Sequence, residues 1–382
     1  MAENFNLVVK GGRLIDPHQG IDGIRDIGIR GERVVAVAEE IDPSPGGEVV
    51  DARGKLVMPG LIDLHVHVWL GVAHLGIEPD PHCVRRGATT VFDAGSAGAD
   101  TFPGFKKYVI DVSATRIRAF LHISSQGQLS ADIGELTDLR YADVKKAVKM
   151  CEEHREDIVG VKIRMSRGLV GDSGREGLKR ALAVCEATGL PLMVHPNESP
   201  LSLEEMLGEM RPGDILTHCF HASNTGLLDG EGRVRPTARR ALKQGVLFDV
   251  GHGAGSFSFA VAEAALKQEV MAGTISSDLH RYNLHGPVFD LATTVSKFLL
   301  LGLSLEEVVE KVTVAPARAM GMLGEIGTLQ PGSWADVAIF SLEAGAFEFA
   351  DARGETRTGE RRLVPEVTLR AGKIYRPERE VG

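Results

Sequence analysis

Both ends of the chain alternate Val, Ile or Leu with polar residues over short stretches. NLVVKGGRLID, DIGIRGERVVAVAE and GEVVDARGKLVMPG do so near the start, with Gly, Asp or Pro at the breaks. IGTLQPGSWADVAIF and EVTLRAGKIYRPE resume the style near the end. A two-residue period is that of half-buried strands. The middle, from about Met58 to Gly324, reads differently. Strand-like runs there are LIDLHVH, TTVFDAGS, RAFLHISS, IVGVKIRMS, PLMVHPN, DILTHCFH, VLFDVGHG and TISSDLH. Between most of them lie helix-like segments such as YADVKKAVKMCEEHRED, REGLKRALAVCEATG, TARRALKQG and AVAEAALKQ. A late helix is expected from Ser304, because Glu307 three residues on completes a capping box. Strand–helix alternation predicts a parallel sheet with crossover helices. Eight strands over this length predict a (β/α)8 TIM barrel. An open dinucleotide-binding sheet is the alternative, but no GxGxxG follows the first strand, and GHGAGS after the seventh lacks the spacing. The expected organisation is an α/β chain with a barrel over 58–325. A small β-sandwich domain is expected from 1–57 plus 326–382, with DARGETRTGERR as a solvated hairpin tip.

Composition narrows the class. With 382 residues, 43% hydrophobic and 25% charged, the chain is an ordinary globular one that can bury a large core. A formal net charge of -9 argues against nucleic acid or an anionic membrane as a partner. No apolar run is long enough to span a bilayer. MAENFNLVVKGG has no basic stretch followed by an apolar one, so no secretory signal is expected. Cys83, Cys151, Cys185 and Cys219 show no CxxC spacing, which suits free thiols in a reduced, cytoplasmic protein.

Candidate chemistry begins at His65 and His67 in LVMPGLIDLHVHVWLG. Side chains two apart on a strand share a face, so both rings can reach one metal ion or two neighbouring ones. Asp63 belongs to the same series. In a barrel of this kind the chemistry gathers at the C-terminal strand ends. Those ends carry His65, His67, Lys162, His195, His218 and Asp278. Singly, a strand histidine can be a satisfied core residue, Lys162 can snorkel outward and Asp278 can cap a loop. Six polar residues at the ends that one rule marks as functional argue for a site instead. Imidazole and carboxylate suit zinc or a similar divalent ion. Four histidines and an aspartate exceed the ligands of one catalytic metal and favour two. An amine can join them only if deprotonated or modified. Just beyond the strand ends, Arg164 and Arg167 could fork onto a substrate carboxylate or sit in surface ion pairs. His221, His252 and His280 could orient substrate or support the ligands. GHGAGSFSF could offer backbone N–H groups to an oxyanion or be a flexible loop, and Trp69 could wall the pocket or pack in the core.

Through VMPGLIDLHVH, the VKIR lysine, MVHPN, LTHC, SSDLH, VAPARAMGM and GTLQPGSWADVAIF, the sequence resembles the amidohydrolase superfamily over nearly its whole length. The resemblance implies that Lys162 is N6-carboxylysine bridging two divalent metals. It also implies that His65, His67 and Asp278 hold one metal, and that His195 and His218 hold the other. A hydroxide between two cations would attack an amide or ester carbonyl, with Asp278 passing its proton to the leaving group. Dihydroorotases of the superfamily usually carry Arg two residues after the HxH, where this chain has Trp69. The D-aminoacylase branch often has a cysteine at the end of strand 2, where TTVFDAGSAG offers Asp93. The chain is closer to a deacetylase-like branch acting on small carboxylate-bearing amides or esters. The alternative is a cyclic amide hydrolase resembling dihydroorotase or hydantoinase. A non-catalytic assembly protein is a third reading, against which stands the retention of all six residues. The expected partner is a small-molecule substrate, and similar enzymes often form homo-oligomers.

Overall fold

The structure, a computed structural model, describes residues 5–130 and 132–378. The first five strands are β1 (Leu7–Asp16), β2 (Ile21–Arg30), β3 (Arg33–Ala38), β4 (Glu48–Asp51) and β5 (Leu56–Pro59). Seven more follow in the middle: β6 (Leu61–Val66), β7 (Ala88–Gly98), β8 (Arg116–His122), β9 (Ile158–Arg164), β10 (Leu192–His195), β11 (Ile215–Leu216) and β12 (Leu247–Phe248). The last are β13 (Val337–Ala350), β14 (Thr356–Arg370) and β15 (Lys373–Tyr375).

The two ends pair with each other as their alternation predicts. The order is β15-β14-β13-β5-β1-β2-β3, with β4 added on β1. Leu14, Ile27, Ile29, Val57, Val337 and Leu369 form part of a hydrophobic cluster of their own on these strands. Hydrogen bonding joins all eight in one sheet, and a division into two stacked sheets is not part of that pairing.

The middle strands form a parallel curled sheet in the order β12-β11-β10-β9-β8-β7-β6. The predicted eighth strand, TISSDLH, closes it without a regular ladder. It makes one parallel bridge to each edge, Asp249 to Thr274 and Val66 to Leu279. Supporting bonds run from Val250 N to Thr274 O (3.2 Å) and from His67 N to Leu279 O (3.0 Å). The extended run breaks because Asp278 turns to φ 49°, in the left-handed region. The result is a TIM-like barrel with helices between most strands. Leu305–Val312 begins at the predicted capping box, Ser304 and Glu307 each bonding the other's backbone.

The charged excursion DARGETRTGERR forms a hairpin turn whose tip, residues 353–356, is exposed as expected, while the residue at its root is not. Asp351 is buried, accepting N–H bonds from Arg353 (2.8 Å), Glu355 (2.9 Å) and Phe259 (3.0 Å). A carboxylate satisfied by three backbone donors can leave water, and the bond from Phe259 N ties the root of the hairpin to the barrel. All four cysteines are buried and unpaired, and burial pushes the Cys151 and Cys185 thiols up to about 12. Among the described residues no helix is long and apolar enough to cross a membrane.

Arg116, at the start of β8, joins barrel to terminal sheet on the face opposite the strand C-termini. Its guanidinium is buried, pairs with Asp336 and donates to Thr90 Oγ1 (3.0 Å). Asp336 also accepts from Ala371 N at 2.8 Å. Asp336→Ala leaves a buried cation unpaired. It is expected to cost about 3–5 kcal/mol in urea unfolding.

Candidate metal and active site

Lys162 and Arg164 share the inward face of β9, as the two-residue period requires, and His65 and His67 share that of β6 and its extension. Lys162, His65, His67 and His218 are buried, Asp278 nearly so, and His195 keeps a partly exposed edge. His65 Nε2 and His67 Nε2 lie 3.4 and 3.2 Å from Asp278 Oδ1. His218 Nε2 is 4.0 Å from Asp278 Oδ2. Lys162 Nζ is 3.4 Å from His65 Nε2. The His218 ring stands 4.9 Å from His65 and 4.4 Å from His195. All six predicted strand-end residues therefore meet in one buried cluster.

Hydrogen bonds behind the rings fix their protons. Thr217 donates its hydroxyl proton to Asp249 Oδ2 (2.8 Å), so His65 Nδ1 must donate to Thr217 Oγ1 (2.8 Å). Ser96 is similarly tied to Asp93, and His67 Nδ1 faces Ser96 Oγ at 3.0 Å. His218 Nδ1 meets Gly251 O at 2.6 Å, and a carbonyl can only accept. Each of these rings carries its proton on Nδ1 and turns a lone pair, Nε2, towards Asp278. His195 is the reverse. Ser166 donates to Asn197 O (2.8 Å), so His195 Nε2 donates to Ser166 Oγ (3.2 Å) and Nδ1 is bare. Burial holds His65 and His67 neutral, well below the ordinary imidazole range, and lowers His218 to about 3. Asp278 Oδ1, facing two of these lone pairs, is buried and has no hydrogen-bond partner. Lys162 Nζ reaches His65 Nε2, but no donor reaches Asp278 Oδ1, and the acceptors crowded around that oxygen repel one another. A bound cation relieves that repulsion, and His65, His67 and Asp278 lie close enough together to share one. The donor set fits a metal.

The backbone is shaped to the same end. His218 (φ 59°) and Asp278 (φ 49°) both adopt the left-handed conformation, which costs a non-glycine residue about 1–3 kcal/mol. Gly253 lies against Asp278, where a Cβ would stand 2.4 Å from Oδ2, and Gly251 lies against His218, 2.8 Å from Nδ1 by the same measure. The glycine-rich loop after β12 thus serves close approach to the cluster. Burial lowers the Lys162 ammonium to about 7. Asp63 holds the closing segment, accepting from Ser277 N at 2.9 Å, and burial raises its carboxyl to about 7.

The loop residues divide. Arg164 donates twice to Glu135 Oε1 (2.9 and 2.6 Å), whose Oε2 is 3.0 Å from His122 Nε2. His280 stands 6.4 Å from His67, ring to ring. Arg167 is exposed, in the short helix Arg167–Val170. His221 is buried, its Nδ1 bonded to Ser223 Oγ at 2.8 Å. His252 has both ring nitrogens engaged, by Gly253 O (2.9 Å) and Lys297 Nζ (2.7 Å). Trp69 packs in the core against Phe105, with ring centroids 5.3 Å apart. Sequence reasoning missed His122, although it ends the third barrel strand and the same rule would have selected it. It also missed Glu135 and His74, which lie in loops without a motif. Both His74 nitrogens are buried without partners, beside a cavity of about 530 Å³ shared with Leu70, Ile77, Arg281 and Leu284.

Known proteins share this architecture. The amidohydrolase family profile matches residues 56–374. A deacetylase of Enterococcus faecalis is 36% identical over 376 residues, covering 97% of this chain and 99% of the relative. A deacetylase of Agrobacterium fabrum is 36% identical over 342 residues, covering 89% and 84%. Among solved structures, an adenine deaminase superposes with a TM-score of 0.91 at 36% identity, covering 98% of this chain and 100% of that one. A dihydroorotase gives 0.90 at 33% identity, covering 97% of each. With the profile running from β5 through the whole barrel to β15 of the terminal sheet, and whole-length relatives alike in sequence and fold, the chain belongs to the amidohydrolase family.

Proposed function

We propose that this hydrolase removes an acyl group of acetyl size from a small carboxylate-bearing amide or ester, using two divalent metal ions. Zinc is the proposed metal. His65, His67 and Asp278 would hold one ion, His195 and His218 the other, and Lys162, carboxylated, would stand between them. The observation that carries this reading is the bare Nε2 atoms converging on an unpartnered Asp278 oxygen. Ions there would supply a nucleophilic hydroxide near neutral pH and polarise the scissile carbonyl. Asp278 takes the proton released as the new C–O bond forms. It returns that proton to the leaving nitrogen or oxygen as the C–N or C–O bond breaks, giving a carboxylate and an amine or alcohol. A neutral amine at Lys162 can attack carbon dioxide, losing a proton and becoming a carbamate, and burial favours that neutral form. Arg164, one step outward on the same strand face, and His280 are the proposed substrate contacts.

Deacetylation is preferred to ring opening of a cyclic amide for two reasons. The relatives named deacetylases match at 36% identity, and Trp69 turns into the core, so no guanidinium stands at that position. The likeness to a dihydroorotase keeps the cyclic amide as the second reading. We take 58–325 as the hydrolase barrel and 1–57 with 326–382 as a small β domain. The unpaired thiols suit a cytoplasmic setting.

A screen of zinc-loaded enzyme against N-acetyl and N-formyl amino acids of both hands, O-acetyl hydroxy acids and dihydroorotate separates the readings. Turnover of an acetylated compound is expected. Turnover of dihydroorotate alone would replace deacetylation by the cyclic reaction. Protein purified without chelator is expected to carry about two divalent ions per chain, measured by mass spectrometry of the metal. Lys162→Ala should lose metal and turnover, and full retention of both would make Lys162 structural. Asp278→Asn should lower kcat by about 10²–10⁴-fold, and a near-normal rate would move the proton carrier elsewhere. A pH dependence of stability follows from the neutral histidines. Their folded pKa values lie below the unfolded value of about 6.5, so the unfolded chain binds protons first as pH falls. The Tm of chelator-treated protein should therefore drop as pH is lowered from 7 towards 4, and a flat profile would contradict the buried, neutral cluster.

A further inference from the structure

Lys297 is fully buried in the helix Leu291–Leu300 and takes no part in the chemistry above. Its ammonium has three N–H bonds and three acceptors: His252 Nε2 at 2.7 Å, Pro287 O at 2.8 Å and Ala350 O at 2.8 Å. None of these is a carboxylate, although Asp351 and Asp290 act on it electrostatically. A buried cation without a contacting anion is costly, and a methionine would fill the space without that cost. The acceptors come from three separate places: the loop after β12, the segment after the closing strand, and the end of β13 at the terminal hairpin.

Two of those connections run to Asp278 from opposite sides. On one side, His252 Nδ1 bonds Gly253 O. Gly253 N in turn bonds Ser277 O (2.9 Å), and its Cα lies against Asp278 Oδ2. His252 is further held by stacking on Phe257, ring centroids 4.5 Å apart. On the other side, Pro287 lies between Gly286 and Phe289, whose N–H groups both bond Asn283 O (3.2 and 3.1 Å). Asn283 Nδ2 then donates to Asp278 O at 2.8 Å. Asp278 is in a left-handed conformation, and such strain persists only where the surroundings over-determine it.

We propose that Lys297 is a positioning residue of the hydrolase, clamping the loops on both sides of Asp278 to the terminal hairpin and so fixing the carboxylate that meets His65 and His67. The proposal rests on the reading of Asp278 as metal ligand and proton carrier. It gives the terminal sheet a part in the active site that no ligand set contains.

Lys297→Met keeps the aliphatic stem and removes all three donors. In the full-length protein it is expected to raise amide exchange about tenfold or more in 251–256, 278–288 and 350–353 together, leaving 61–66 and 192–195 protected. The visible absorption of the cobalt(II)-loaded protein should also shift, although no ligand has changed. Exchange that rises only around 350–353 with an unaltered cobalt spectrum would make Lys297 a packing group and overturn the proposal. If neither wild type nor variant binds cobalt, the metal reading fails, and exchange at 278–288 alone decides the clamp. Should Lys297→Met not fold, His252→Phe removes one arm and keeps a ring against Phe257. It should loosen 251–256 and 278–283 while 350–353 stays protected, and unchanged exchange there would equally overturn the clamp.

Discussion

Thr217 has one hydroxyl proton and Asp249 takes it, which leaves His65 no choice about where its own proton goes. The same logic repeats at Ser96 with Asp93 and at the carbonyl of Gly251. Donors placed behind the rings would have reversed every one of them, turning N–H groups inward and repelling a cation. The electronic character of the site is thus set one layer back, by buried carboxylates and carbonyls that never face the cluster. Asp249 itself is held by Thr274 Oγ1 and Ser276 Oγ, each at 2.7 Å, on the segment that closes the barrel. Closing the sheet and fixing the tautomers are one event.

This arrangement weakens the fold locally. Crowded lone pairs, an orphaned carboxylate oxygen, two left-handed non-glycine residues and two buried lysines each raise the energy of the metal-free chain. Compensation lies at the other end of the barrel and in the terminal sheet. There Arg116 meets Asp336, and Asp16 accepts from Leu329 N (2.7 Å) and Thr328 Oγ1 (3.0 Å) across the chain's two halves. The bottom of the barrel holds the molecule together so that the top can stay strained.

The cluster was legible in the sequence because a strand's period is strict. Once LIDLHVH and IVGVKIRMS are strands, His65, His67 and Lys162 can face only one way. What escaped depends on contacts between distant segments. Glu135 reaches Arg164 from a loop 29 positions away, and nothing in its neighbours marks it. The hairpin tip is solvated as its charges imply, but the burial of Asp351 at its root rests on backbone donors that composition cannot reveal. The eighth strand was found by its residues but not by its form, since the turn at Asp278 that breaks its ladder also aims the carboxylate. His122 was readable and passed over.

An adenine deaminase and a dihydroorotase superpose almost equally well on this chain, so the barrel as a whole does not discriminate between reactions. Discrimination must come from what stands just outside the inner layer. There this chain offers a tryptophan withdrawn into the core and an arginine whose Nε and one terminal nitrogen are already committed to Glu135. It also offers a histidine with both nitrogens unspent. Under the proposed function a substrate anion approaching Arg164 would meet a guanidinium already held by Glu135, a more selective contact than a free one. In the proposed reading Glu135 and His122 would therefore belong to the recognition problem, through the hold they have on Arg164. Membership of the family makes the chain a hydrolase of amide bonds, and in the proposed reading the ring of side chains one step outside the cluster would select the substrate.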